Sequence, residues 1–175
     1  TAADINTLVG QEGDSGNKVN LDGNYTATIT DTNLSASVLN TLNSNVPGLV
    51  TATTVTNITG TASAMATLMG NEGDTGNSIN LDGNFIATDD SGSVAAADLT
   101  TISAKTDGTI TATAATTLTG SAADLNTLIA DTQVNIDNDY LVTISSGSHS
   151  AAHLNTINGD TTEHITATAV EALTG

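Results

Sequence analysis

An eight-residue box recurs six times along this chain, and six copies of one box imply six copies of one structural unit. The copies occupy residues 1–8, 35–42, 61–68, 95–102, 121–128 and 150–157. The fullest form is Ser121-Ala122-Ala123-Asp124-Leu125-Asn126-Thr127-Leu128. Its seventh position is invariably threonine: Thr7, Thr41, Thr67, Thr101, Thr127 and Thr156. The eighth is always Leu or Ile, and the fifth is Leu, Ile or Met. No nucleophile–base pair or paired carboxylate recurs in the box, so its Leu and Thr positions are expected to be structural.

Steps between successive box threonines are 34, 26, 34, 26 and 29 residues. A second signature follows each box, at 26–28, 51–53, 86–88, 111–113, 141–143 and 166–168, mostly Thr-Ala-Thr. From the start of this triplet to the next box threonine the count is 15 or 16 throughout. Length therefore varies between box and triplet, which predicts loops on one face of a stack. Three blocks result, 1–60, 61–120 and 121–175, each with two half-units, the third block having the shorter loop.

Within the box, Ala122, Leu125, Leu128 and Ile129 fall at helical spacing, with Ser121 or Thr1 as N-cap and Asp three residues on. Such a helix is about two turns long and unstable without neighbours. The stretches Val50-Thr51-Ala52-Thr53-Thr54-Val55 and Ile110-Thr111-Ala112-Thr113 are rich in strand-favouring residues. Their alternation puts Ala on one face and Thr on the other. A third motif, Ile58-Thr59-Gly60, Leu118-Thr119-Gly120 and Leu173-Thr174-Gly175, ends each block, its glycine suited to a positive-φ turn. The expected fold is a repeat solenoid, mainly β with parallel stacked strands. It would have one short helical turn per coil and six coils of about 26–34 residues.

Composition narrows the partners. The chain has a net charge of −17 and only two cationic side chains, Lys18 and Lys105, which excludes a nucleic-acid interface. No apolar run approaches the ~20 residues that span a bilayer, so no membrane insertion is expected. Without cysteine, disulfides and thiolate metal sites are impossible. Aromatic residues make up 2%, and a disordered chain is the competing reading, opposed by the regular placement of Leu and Ile. No signal peptide opens the chain, which begins and ends inside the repeat pattern. A piece of a longer protein is therefore expected.

The runs Leu34-Ser35-Ala36-Ser37-Val38-Leu39-Asn40-Thr41-Leu42, Val55-Thr56-Asn57-Ile58-Thr59-Gly60-Thr61-Ala62 and 118–127 carry a resemblance. They look like the Thr/Ala/Gly-rich tandem repeats of giant secreted cell-surface proteins of marine cyanobacteria and related bacteria. The likeness covers essentially the whole chain. It implies an extracellular, cell-surface location and a structural or adhesive role, and carries across no catalytic residue.

Candidate sites are few. Long loops 10–17 and 70–77, each followed by Asn-Leu-Asp-Gly-Asn, place Glu12, Asp14 and Asp22, and Glu72, Asp74 and Asp82, where a hard cation such as Ca²⁺ would find oxygen ligands. Solvated turns, for which Asp, Asn and Gly are equally suited, are the alternative. The third block has Asp131, Asp137 and Asp139 instead. Thr-X-Thr triplets resemble ice-binding faces, although Ile86 and Leu141 interrupt them. His149 and His153 lie four apart, near Asp160, Glu163 and His164, in one unit only, and tolerated drift explains them better than a metal site. The expected function is a non-enzymatic segment of a surface filament, sheath or stalk, stacking head to tail with copies of itself. A calcium-stabilised adhesin arm or an ice-binding face is the alternative.

Overall fold

The computed structural model describes residues 1–12, 19–21, 23–73, 75 and 78–175. Each box forms a helix: α1 (Ala2–Val9), α2 (Ala36–Asn45), α3 (Ala62–Gly70), α4 (Ala96–Ser103), α5 (Ala122–Ile129) and α6 (Ala151–Asp160). Between α1 and α3 run β1 (Ala27–Thr28), β2 (Asn33–Ser35), β3 (Val50–Ala52) and β4 (Asn57–Gly60). Between α3 and α5 run β5 (Ile79–Leu81), β6 (Ile86–Asp89), β7 (Ser93–Ala95), β8 (Ile110–Thr111) and β9 (Thr117–Gly120). The remainder holds β10 (Val134–Asn135), β11 (Leu141–Ile144), β12 (Gly147–Ser150), β13 (Ile165–Thr166) and β14 (Val170–Thr174).

The chain is thus α/β, with six helices among the described residues and parallel sheets throughout. This corrects the expected mainly β solenoid with one short helical turn per coil. The helices run 8–10 residues, each more than two turns. Side-chain capping helps: Thr1, Ser35, Thr61 and Ser121 each accept the N–H three residues on. Helix–helix burial does the rest, because box positions two, five and eight meet those of the next helix. Ala36, Leu39, Leu42, Ala62, Met65, Leu68, Ala96, Leu99 and Ile102 are all buried. Each helix packs on the next in sequence, from α1 to α6.

Strand pairing follows a less regular path. The sheets run β1-β3-β5, β10-β8-β6-β4-β2, β13-β11-β9-β7 and β12-β14. The half-units beginning at α3 and α5 supply three strands, those beginning at α2, α4 and α6 only two. The extra strands, β5 and β10, lie in the segment between box and triplet, where length variation predicted loops. The middle strand of a three-strand unit pairs backward with the second strand of the preceding unit and forward with the first strand of the next. Thus β6 pairs with β4 and β8, and β11 with β9 and β13. Inward strand residues Val50, Ile58, Ala87, Ile110, Leu118 and Val142 complete one continuous core. Gly60 and Gly120, at the strand-to-helix corners, take φ of +133° and +152°. Side chains with β-carbons rarely adopt that region.

Candidate functional site

The six box threonines are exposed, so their repetition does not come from core packing. Each hydroxyl instead donates to the carbonyl four residues earlier in its own helix. Thr7 donates to Ala3 at 2.9 Å, Thr41 to Ser37 at 2.9 Å and Thr67 to Ser63 at 2.9 Å. Thr101 donates to Ala97 at 2.7 Å, Thr127 to Ala123 at 3.0 Å and Thr156 to Ala152 at 3.2 Å. Helix stacking sets these short, self-satisfied side chains in one row.

On the strand side the central triplet residue faces inward and the threonines face out, as alternation requires. Ala27, Ala52, Ala87, Ala112 and Val142 are buried. Register aligns the outward residues in single columns: Thr28, Thr51 and Asn80 in one sheet; Ser35, Thr59, Thr88, Thr111 and Asn135 in the next. The third column is Ala95, Thr119, Thr143 and Thr166. Ile86 and Leu141, which replace triplet threonines, are exposed.

Of the candidate calcium ligands, Asp14, Asp22 and Asp74 lie outside the described residues. Glu12 accepts the Tyr25 hydroxyl at 3.2 Å, and Glu72 pairs with the Lys105 ammonium at 3.3 Å. Asp82 accepts the Asn84 N–H at 3.1 Å, closing a turn. Asp131 does the same with Gln133 at 3.0 Å. The described residues bring no three His, Asp or Glu side chains together around a common point. His149 and His153 do not share a helix face: His149 is buried in β12 and His153 sits on α6. The His149 Nε2–H donates to the Ser145 carbonyl at 2.9 Å.

Two features escaped sequence reasoning. The chain's three aromatic residues, Tyr25, Phe85 and Tyr140, stand at one register, immediately before a triplet. Phe85 and Tyr140 are buried and Tyr25 partly so. Tyr25 also donates to the Asn45 carbonyl at 2.9 Å, and Tyr140 donates to the Asp160 carboxylate. Burial first, and then that carboxylate, push the Tyr140 phenol far above its usual range; the same causes, with Glu12, raise Tyr25. Both phenols therefore stay neutral and serve as donors. Their shared place before Thr26, Ile86 and Leu141 was the available signal.

The second feature is Asp89, whose side chain is 2% exposed in β6. Its equivalents by position, Ile29 and Ile144, are buried and apolar. Asp89 Oδ1 accepts the Ala62 N–H at 2.6 Å, at the start of α3, and the Ser91 hydroxyl. Oδ2 is buried with no hydrogen-bond partner. In the first block the corresponding duty falls two residues later, where Asp31 Oδ2 accepts the Ala2 N–H at 2.8 Å. A carboxylate at a helix start meets unsatisfied N–H groups and the favourable end of the dipole. Asp98, at the start of α4, is raised by burial and by the Asp89 charge.

An open groove of about 540 Å³ lies over the C-terminal ends of α4 and α5. Thr100, Ser103, Asn126, Thr127, Asp131 and Gln133 supply its polar lining. Gln133 is already committed, accepting from Ser103 at 3.1 Å and donating to the Thr106 carbonyl at 2.9 Å. These groups tie unit to unit. No family model, curated protein or solved structure matches the chain.

Proposed function

We propose that this chain is a non-enzymatic structural segment of a secreted bacterial surface filament, sheath or stalk, whose units continue head to tail from copy to copy. The supporting observation is that polar side chains are spent across unit boundaries. Asn40 Nδ2 donates from α2 to the Ala64 carbonyl of α3 at 2.9 Å. Thr54 donates to the Ile29 carbonyl at 2.8 Å, Thr116 to Gly92 at 2.8 Å and Thr106 to Phe85 at 2.5 Å. Such a chain resists separation of its layers, and its stability grows with the number of interfaces. A charge of −17 keeps an extended array soluble and spaced.

The experiment is a fusion of two copies in tandem, with the second copy starting directly after Gly175. Nearest-neighbour coupling predicts one cooperative transition at a higher melting temperature than the single copy. Two independent units melting at the single-copy temperature would refute a continuous structural stack. Surface labelling of intact producing cells tests the location.

A further inference from the structure

The third block carries a cavity that the second block closes. Leu128, Ile129, Val134 and Ile136 wall a space of about 110 Å³, and Tyr140 and Asp160 form its polar end. The walls come from the adjacent units of α5 and α6 rather than from either end of the stack.

Loop length explains the opening. From Thr67 to Ile79 the chain runs 12 residues, from Thr127 to the equivalent Val134 only 7. In the second block the added length lies along β5. There Ile79 donates to the Asn71 carbonyl, Gly73 donates to the Ile79 carbonyl, and Glu72 bridges to Ile79. Under that cover Met69, Ile79 and Leu81 are buried. Their equivalents Ile129, Val134 and Ile136 are only half-buried, because the shorter loop turns at once and Val134 donates to the Asp131 carbonyl. The charge at the polar end is reversed as well. Asp160 stands four residues after its box threonine, where the second block has Lys105. The next residues, Thr161 and Thr106, donate to the carbonyls of Tyr140 and Phe85, which fixes the equivalence. Lys105 pairs with Glu72 of the covering loop at 3.3 Å. The third block lacks that length of loop and carries a carboxylate in the lysine's place. Asp160 accepts the Tyr140 hydroxyl and forms no ion pair among the described residues. Beside aliphatic walls a half-buried carboxylate is poorly hydrated on one side, and a cation there is held more strongly than in open water.

We propose that this cavity binds a primary alkylammonium group, with the ammonium on Asp160 and the methylenes against the aliphatic wall, a role beyond the structural one above. An ammonium donates three hydrogen bonds and its stem packs on apolar surface, which matches both halves of the cavity. At about 30 Å³ per water-sized group the space takes roughly four heavy atoms. That is the length of n-propylammonium or of the end of a lysine side chain. Asp160 repels a carboxylate ligand, and a quaternary ammonium has no N–H to donate. The net charge of −17 draws cations to the whole surface, so selectivity comes from the cavity.

The test titrates n-propylammonium chloride into the whole chain, methyl-labelled at Leu, Ile and Val, with ionic strength held constant by tetramethylammonium chloride. The methyl signals of Leu128, Ile129, Val134 and Ile136 should shift together and saturate in the millimolar range, as befits so small a ligand. Those of Leu39 and Ile58 should stay in place. Asp160→Asn keeps an acceptor for Tyr140 and should weaken binding about tenfold or more. Asp107→Asn removes the same charge from an exposed position and should leave binding unchanged. n-Propanol, of the same size without the charge, should also bind about tenfold more weakly or worse. Shifts that do not saturate overturn the proposal. So does n-propanol binding as tightly as n-propylammonium, or Asp160→Asn binding as tightly as the parent. Two further ligands separate the sources of the group. Nα-acetyl-lysine amide binding as n-propylammonium does upholds the site as a lysine pocket, whereas 1,3-diaminopropane binding with the lysine amide excluded upholds it as a site for free polyamines.

Discussion

Asp89 offers a test in which the chain's own repeats supply the design. The perturbation is Asp89→Ile with Ser91→Asp, which rewrites the second block to the Ile29 and Asp31 arrangement of the first. Asp89→Ile alone buries an apolar side chain, contributing about 1.5–3 kcal/mol. It also removes the acceptor of the Ala62 N–H, and an orphaned buried donor costs about 1–3 kcal/mol. The two nearly cancel. Ser91→Asp alone sets a second carboxylate beside Asp89, close enough to the present Ser91–Asp89 hydrogen bond to repel it. The double substitution keeps the apolar gain, restores an acceptor for Ala62 and removes the unpartnered Oδ2. The expected result is about 2 kcal/mol above the parent, or roughly 4–8 °C in melting temperature for a chain of this size. Urea denaturation of all four proteins gives the coupling energy, expected to favour the pair by about 1–2 kcal/mol. If the double variant is no more stable than the parent, or the effects simply add, then Asp89 does not do the work of Asp31.

Two further outcomes follow from close contacts and from titration. A β-carbon at Gly108 would stand 2.1 Å from the Phe85 carbonyl oxygen and 2.9 Å from that of Asn84. Gly108→Ala should therefore lose about 2–3 kcal/mol of stability. Gly70→Ala, with nothing within 4 Å at the end of α3, should gain about 0.5–1 kcal/mol; equal melting of the two variants would refute the contact. Burial and Asp89 raise Asp98, so the folded state holds that proton more tightly than the unfolded chain. The penalty is present above the raised value and is relieved as pH falls through it. Asp98→Asn should accordingly stabilise the protein at neutral pH and flatten the stability profile just above the ordinary carboxylate range, measured by denaturation at a series of acidic to neutral pH values; an unchanged profile would remove Asp98 from the account.

Legibility in the sequence followed periodicity. Ser121 and Thr1 read as N-caps because their spacing to Leu125 and Ile5 is helical, and each caps its helix. Gly60 and Gly120 read as positive-φ corners because an apolar strand ends there and a capped helix begins, and both take that conformation. The weight of helix against strand was harder to read. Short Ala/Ser/Thr boxes have modest intrinsic helix preference, and their stability comes from the next helix, which single-segment patterns do not report. Strands β5 and β10 were missed because Ile79-Asn80-Leu81 and Val134-Asn135 are too brief to show alternation. Asp89 was invisible as a core residue because a charged side chain reads as exposed until its helix-start partner is known.

The same count of strands explains why the repeat is one of paired half-units. A three-strand unit has a longer perimeter than the two-strand unit stacked on it, and parallel pairing demands a partner at about 4.8 Å for every edge it satisfies. The chain meets that demand by sliding. The sheet β2-β4-β6-β8-β10 begins on the last strand of the α1 unit and ends on the first strand of the α5 unit. Outward columns therefore stay short on the strand side, as in Ser35, Thr59, Thr88, Thr111 and Asn135. The helices do not slide, because every unit contributes one and each packs on the next. Any surface reading the full length of the stack must lie on the helix side, where the row from Thr7 to Thr156 runs unbroken with its hydroxyls already bonded. That row offers shape rather than free hydrogen-bond donors, because each hydroxyl is spent on the carbonyl four residues earlier in its own helix.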